Sequence, residues 1–185
     1  DTSWKSGPAQ LGYGDGDDST EIDPVGSVYM RRIFSVTDTQ QLAGALFYID
    51  YDDGFAAYIN GHEIARSNLG AINPVPFDQL TGSLAREATM YQGGFPENFF
   101  IQDPLTFLVE GANVIAIQGH NSDPLSSDFS LIPMLSIGHI IYGSIDSIPD
   151  YIQLKGRKLH RNFKFDNDGE TLILSRPVSS VVDSI

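Results

Sequence analysis

The stretch FAAYINGHEIARSN, Phe55 to Asn68, constrains its own folding more tightly than any other part of the chain. Phe55, Ala57 and Ile59 alternate with Ala56, Tyr58 and Asn60, and the pair Asn60-Gly61 follows at once. A two-residue type I′ turn needs positive φ at both central positions, which Asn and Gly tolerate best, so the pattern predicts a β-hairpin.

Similar runs recur along the chain. Residues 28–37 (VYMRRIFSVT) and 45–51 (ALFYIDY) alternate and are rich in β-branched and aromatic side chains, and both predict strands. The segment from Leu69 to Asn98, with its Gly, Pro and Asn, predicts an irregular excursion with a short helix at SLAREATMY. FFIQ follows, then a turn at Glu110-Gly111-Ala112-Asn113 that feeds a strand from Val114 to Gly119, then a last strand in SDFSLIPMLSIG. Many short strands without a sustained helical period predict an all-β chain, an antiparallel β-sandwich of jelly-roll form. Beyond Gly138 the character changes. Residues 139–157 read as a linker, and KFDNDGETLILS predicts a strand, an Asn-Asp-Gly turn and a second strand ahead of VVDSI. Forty-seven residues with so little apolar content make a marginal domain on their own.

Charge narrows the partners. The chain of 185 residues has a formal net charge of −13, and residues 1–138 hold 18 of its acidic and only 5 of its basic side chains. Such a surface repels nucleic acid and anionic lipid, since phosphate binding depends on Lys and Arg. No run approaches the length of a membrane span, which excludes membrane insertion by a helix. The absence of cysteine removes disulfides, thiolate metal sites and cysteine nucleophiles. The opening residues DTSWKSGPAQ lack both Met and an apolar signal core, as expected of a mature or excised piece.

The ordered motifs SWKSGPAQLGYGDGD, VYMRRIFSVTD, YDDGFAAYINGHEIARSN and FLVEGANVIAIQGHNSDPLSSDFSLIPML resemble the galactose-binding-like β-sandwich, an accessory module of secreted bacterial proteins. The pair AAYINGHEIA and LVEGANVIAI is similar to the sugar-binding sandwich domain of family 2 glycoside hydrolases. The resemblance covers residues 1–138 and implies an extracellular, non-catalytic module that binds carbohydrate or surface glycan. It also implies first strands, before SWKSGPAQLGYG, that are lost or supplied elsewhere. Residues 158–185 resemble the later strands of a lamin-tail-like domain, as a partial β segment.

Several constellations carry candidate chemistry. Asp15, Asp17 and Asp18 stand among glycines in GYGDGDDST, hard oxygen donors suited to Ca²⁺. This is not an EF-hand loop, because the twelfth position is Gly26, and a solvated acidic loop is the plainer reading; the resemblance implies a structural Ca²⁺. Asp52-Asp53-Gly54 reads as a turn. Adjacent residues on an extended chain point to opposite faces, so the two carboxyls are expected to diverge and to be badly placed for paired acid and base work.

Arg66 is expected either to pair with one of these aspartates or, with Asn68 and Tyr58, to offer the hydrogen-bond fork and flat ring of a sugar site. His120, Asn121, Asp123 and Asp128 lie in GHNSDPLSSDFS, a strand end and polar loop, where loop capping competes with ligand contact. Ser126, Ser127, His120 and Asp128 supply the ingredients of a hydrolase triad without the Gly-x-Ser-x-Gly elbow that would give them meaning. His62, His139 and His160 have no partner at i+4. Trp4 with Tyr13 is either a sugar platform or a plug of the core or an edge.

The expected ligand-binding set is therefore Tyr58, Arg66, Asn68, His120, Asn121 and Asp123, with Asp15, Asp17 and Asp18 for Ca²⁺, and no catalytic residue. The alternative is a structural or self-assembling subunit of a surface layer, fibre or multidomain protein, pairing through edges left open by missing strands.

Overall fold

The computed structural model describes residues 4–16, 18–139, 173–175 and 181–184. The chain divides into two compact units, Asp1–Ile141 and Tyr142–Ile185. The first contains strands β1 (Leu11–Tyr13), β2 (Thr20–Glu21), β3 (Ser27–Val36), β4 (Leu42–Tyr51), β5 (Gly54–Ile59), β6 (His62–Ser67), β7 (Glu97–Ile101), β8 (Gly111–His120) and β9 (Phe129–His139). They form two sheets, in the orders β2-β1-β9-β4-β7 and β3-β8-β5-β6. Apart from a short parallel contact between β1 and β2, every pairing in them is antiparallel.

With β2 set aside, the strand orders β1-β9-β4-β7 and β3-β8-β5-β6 are those of an eight-stranded jelly roll, so the predicted architecture is the observed one. The expectation of missing first strands does not extend to the topology. All eight places are filled by described residues, although β1 is only three residues long and pairs with no more of β9 than Phe129–Leu131.

The core follows from the two-residue period of the strands. Phe47, Ile49 and Tyr51 of β4 face Phe55, Ala57 and Ile59 of β5, and Phe129 and Leu131 of β9 join them, all essentially without solvent contact. The Tyr51 and Phe55 rings meet edge to face at 4.7 Å and Phe55 meets Phe99 at 5.5 Å. Each such side chain contributes about 1.5–3 kcal/mol by leaving water.

The hairpin forms as predicted, with φ of 50° at Asn60 and 84° at Gly61. Its Asn does more than turn: Asn60 Nδ2 donates to the Phe107 carbonyl and to Asn113 Oδ1, and Val114 N donates to Asn60 Oδ1. Asn113 is consequently not in a turn but within β8, which begins at Gly111. Its buried carboxamide closes the loop before the strand through Val109 N, Val109 O and Gly111 O.

The helix expected at SLAREATMY is absent, and the segment ends instead in a short 3₁₀ turn at Met90–Gln92. The reason is competition for backbone donors. Arg86 N donates to Asp53 Oδ1, and Thr89 N and Met90 N both donate to Asp50 Oδ2, so these N–H groups are taken by carboxylates of the β4–β5 corner.

In the second unit, β10 (Ile173–Ser175) and β11 (Val181–Ser184) pair antiparallel with an irregularity between Leu174 and Ser175. The predicted Asn167-Asp168-Gly169 turn and the strand before it lie outside the described residues.

Candidate functional site

β4 ends in one sheet and β5 begins in the other, and Asp52 and Asp53 occupy the corner between them. Their peptide bond is cis. The expected divergence of the two carboxyls does not occur, because strand alternation does not continue through a corner, and the Asp52 carboxyl lies within hydrogen-bonding reach of Asp53.

Two carboxylates here are well supplied with donors. Asp50 is fully buried and accepts from Thr89 N at 2.7 Å, Met90 N at 2.6 Å and Arg86 Nη1 at 3.2 Å. Asp53 accepts from Arg86 N at 3.0 Å and Ser122 N at 2.6 Å, which pins both the 83–91 segment and the 121–128 loop to the corner. Arg86 completes the clamp: its Nη1 donates to the Tyr51 carbonyl at 2.6 Å and its guanidinium lies 4.1 Å from the centre of the Tyr51 ring. The Tyr51 hydroxyl donates to Glu97 at 2.6 Å, and burial with that acceptor pushes its pKa up to about 12.

Asp52 is different. It is 4 % exposed, and its hydrogen-bond neighbour is another carboxyl, that of Asp53. Its surroundings are acidic instead: one oxygen each of Asp52, Glu87 and Asp128 lie within 4.8 Å of one another. Burial first, and then the neighbouring charges of Asp53, Asp128 and Glu87, push the Asp52 pKa up to about 8. Burial and the charges of Asp128 and Asp53 also raise that of Glu87, the exposed member that opens the group to solvent. Two carboxyls converging on a buried third form a place where a proton or a hard cation is the missing counter-charge.

The residues expected from sequence fall into separate groups. Asn68, with φ of 57°, donates through Nδ2 to the Asp53 carbonyl and so belongs to the corner. Asn121 is buried and donates through Nδ2 to the Tyr13 hydroxyl and the Val25 carbonyl, while its Oδ1 has no hydrogen-bond partner among the described residues. His120 is also fully buried; its Nδ1 meets the Gln79 carbonyl at 2.8 Å, its Nε2 has no partner among the described residues, and burial lowers its pKa. Asp123 caps its own loop by accepting from Leu125 N.

Tyr58 and Arg66 stand elsewhere. Arg66 does not pair with Asp52 or Asp53; it grips Glu63 at 2.6 and 2.7 Å and donates to the carbonyls of Leu69, Gly70 and Ile72. Its short reach to a neighbour three residues away outcompetes the more distant aspartates, and Tyr58 packs beside it against Leu69 and Val75.

Of the expected Ca²⁺ loop, Asp15 Oδ2 accepts from Ser130 Oγ, Asp18 packs against Gly12, and Asp17 lies outside the described residues. Neither Asp15 nor Asp18 is part of the three-carboxylate group. No triad geometry forms, since Ser127 Oγ is bonded to Asp128 and His120 to Gln79. Tyr13 is a core plug stacked on Phe129, whereas Trp4 lies over Arg31 of the edge strand β3. His62 stacks on Phe107, and His160 is outside the described residues.

Sequence reasoning missed Asp50, Arg86 and Glu87. Asp50 carried one signal, a charged residue inside an otherwise apolar strand; Glu87 carried none, because its place depends on the pinning of its loop.

Among solved structures the fold resembles parts of two α-L-rhamnosidases. The enzyme of Streptomyces avermitilis, solved in complex with L-rhamnose, matches 63 % of this chain and 9 % of its own length at 21 % identity and a TM-score of 0.40. The native enzyme of Aspergillus terreus matches 70 % of this chain and 14 % of its own at 18 % identity and a TM-score of 0.38. The chain thus spans a small fraction of either enzyme. No protein-family model matches the chain, and no curated protein does.

Proposed function

We propose that the sandwich is a non-catalytic, extracellular binding module of galactose-binding-like type, which presents a Ca²⁺ ion at its rim to the hydroxyls of a carbohydrate. The observation that carries this reading is the convergence of Glu87 and Asp128 on the buried Asp52, one oxygen of each lying within 4.8 Å of the others. Ca²⁺ takes about six to eight oxygen ligands, so three carboxylates leave places that neutral vicinal hydroxyls can fill. The acidic first 138 residues disfavour anionic ligands and fit a neutral one. Asn68 and Ser122 support the reading by fixing the corner from which the ligands project. In this reading Ca²⁺ sits at the corner rather than in the Asp15 to Asp18 loop.

The test is a thermal melt and calorimetric titration of the chain in EDTA and in millimolar Ca²⁺, followed by a glycan array under both conditions. A ligand at 100 times its Kd stabilises by about 2.7 kcal/mol, enough to move the midpoint by several degrees. Asp52→Asn is expected to abolish that shift. An unchanged melt, together with an array blank in Ca²⁺, would sink the proposal.

A structural or assembly role is the second reading, favoured by the outer edge of β3, which no strand among the described residues pairs in the order β3-β8-β5-β6. Light scattering across a range of concentrations separates the two, since a strict monomer speaks against self-association. For the second unit, the β10–β11 pair is compatible with a partial lamin-tail-like segment.

A further inference from the structure

The short length of β1 leaves a gap in the wall of the sandwich. From Ile132 to His139, β9 has a partner only on its β4 side among the described residues, and β3 has one only on its β8 side. Between these two free edges runs a groove of about 450 Å³, lined by Met30, Arg32 and Phe34 of β3, Ile117 of β8, and Leu135 and Ile137 of β9.

The walls are apolar with two exceptions, Arg31 and Arg32. Val28, Met30, Phe34 and Val36 turn inward from β3 to the core, and Arg32 has the same parity. Arg31, of the other parity but also at the groove, is engaged by Trp4 at 4.2 Å. Arg32 has no ion-pair or hydrogen-bond partner among the described residues, in a chain whose net charge is −13. Arg32 is exposed at the mouth of the groove and gives it a positive charge in an otherwise acidic unit, complementary to an acidic group in whatever fills the groove.

The two edges are not equivalent. β9 carries Pro133, which cannot donate a backbone hydrogen bond and blunts that edge, whereas β3 runs ten residues without Pro or Gly. A second copy of β3 is a poor occupant, because symmetric antiparallel pairing about the strand's centre sets Arg31 or Arg32 against its own copy. The same charge that deters this pairing selects a strand of opposite charge.

We infer that the groove is a strand-addition site, in which an extended polypeptide segment pairs with the free edge of β3, sends alternate apolar side chains between the sheets, and sets a Glu or Asp against Arg32. This stands independently of the Ca²⁺ site, which lies among other residues, and its failure leaves that reading untouched.

The probes are three fluorescein-labelled decapeptides that alternate Thr and Val: one with Glu at the central inward position, one with Lys there, and one with the Glu peptide's alternate amides N-methylated. Fluorescence anisotropy with the whole chain and with its Arg32→Glu and Arg32→Ala variants gives the answer, after thermal melts confirm that both variants fold. The Glu peptide is expected to bind the wild type and to weaken about tenfold or more on Arg32→Glu, and the Lys peptide is expected to show the reverse preference. N-methylation is expected to abolish binding, because it removes the edge hydrogen bonds. No saturable binding up to millimolar peptide overturns the inference, as does binding indifferent to N-methylation or to the charge at position 32. Displacement of a fluorescent fatty acid by laurate but not by the Glu peptide overturns it in favour of a lipid pocket.

Discussion

Replacing Asp50 by Ala removes the acceptor that holds the 83–91 segment on the outer face of the sheet. Three donors lose their partner: Thr89 N at 2.7 Å, Met90 N at 2.6 Å and Arg86 Nη1 at 3.2 Å. Hydrogen bonds to a charged acceptor contribute about 1.5–3 kcal/mol each, but Thr89 is exposed and water will satisfy part of its loss. Arg86 keeps the Tyr51 and Glu87 carbonyls. The expected cost is therefore about 3–4 kcal/mol rather than the full sum. Asp50→Asn separates the contributions. Its carboxamide oxygen can still accept from both backbone N–H groups, while its NH₂ would face the Arg86 donor, so the cost should fall to about 1–2 kcal/mol. Urea unfolding of the three proteins in EDTA, analysed for midpoint and slope, measures both. An Ala variant within about 1 kcal/mol of the wild type would refute the pinning argument, and so would an Asn variant as damaged as the Ala one. Because the pinned segment carries Glu87, Asp50→Ala should also weaken the Ca²⁺-dependent rise in melting temperature without touching Asp52 or Asp128.

Three further expectations follow from single residues. A Cβ on Gly54 would lie 2.5 Å from Thr81 Cγ2 and 3.1 Å from the Ser67 carbonyl, so Gly54→Ala should cost about 1–3 kcal/mol; an unchanged thermal melt would show that the corner yields freely. Phe55→Ala empties the aromatic cluster with Tyr51, Phe47 and Phe99 and should cost about 3–5 kcal/mol by urea unfolding, a loss under 1 kcal/mol marking a loose core. Burial lowers the pKa of His120 in the folded state, so the unfolded chain binds the proton more readily. Its contribution is complete above the ordinary value of about 6.5 and is lost as pH falls below it. In EDTA the wild type should thus lose stability relative to His120→Gln between pH 7.5 and 5.5, and parallel curves would contradict the assignment.

The strands were legible because their information is local. Phe47, Ile49, Tyr51, Phe55, Ala57 and Ile59 announce a buried face by alternation alone, and Asn60-Gly61 announces its turn. The segment at SLAREATMY misleads for the opposite reason: its helical propensity is overridden by Asp50 and Asp53, residues that are more than thirty positions away. The candidate metal centre depends on the same long-range acceptors, so Glu87 could not be joined to Asp52 and Asp128 from spacing. Arg66 shows a third case, in which a residue suited to a ligand spends its donors on Glu63 and three carbonyls.

The placement of β9 between β1 and β4 has a consequence for how the chain acquires its structure. The strand that completes the five-stranded sheet is the last of the sandwich to be synthesised, and its partner β1 lies more than a hundred residues earlier, as the Leu11 to Leu131 pairing shows. Closing so large a loop must precede the gain from the contact, which predicts slow, late folding governed by β9. Until residue 139 emerges from the ribosome, β4 waits with one edge open and Phe47 and Ile49 partly uncovered, and the nascent chain is then at its most exposed to aggregation.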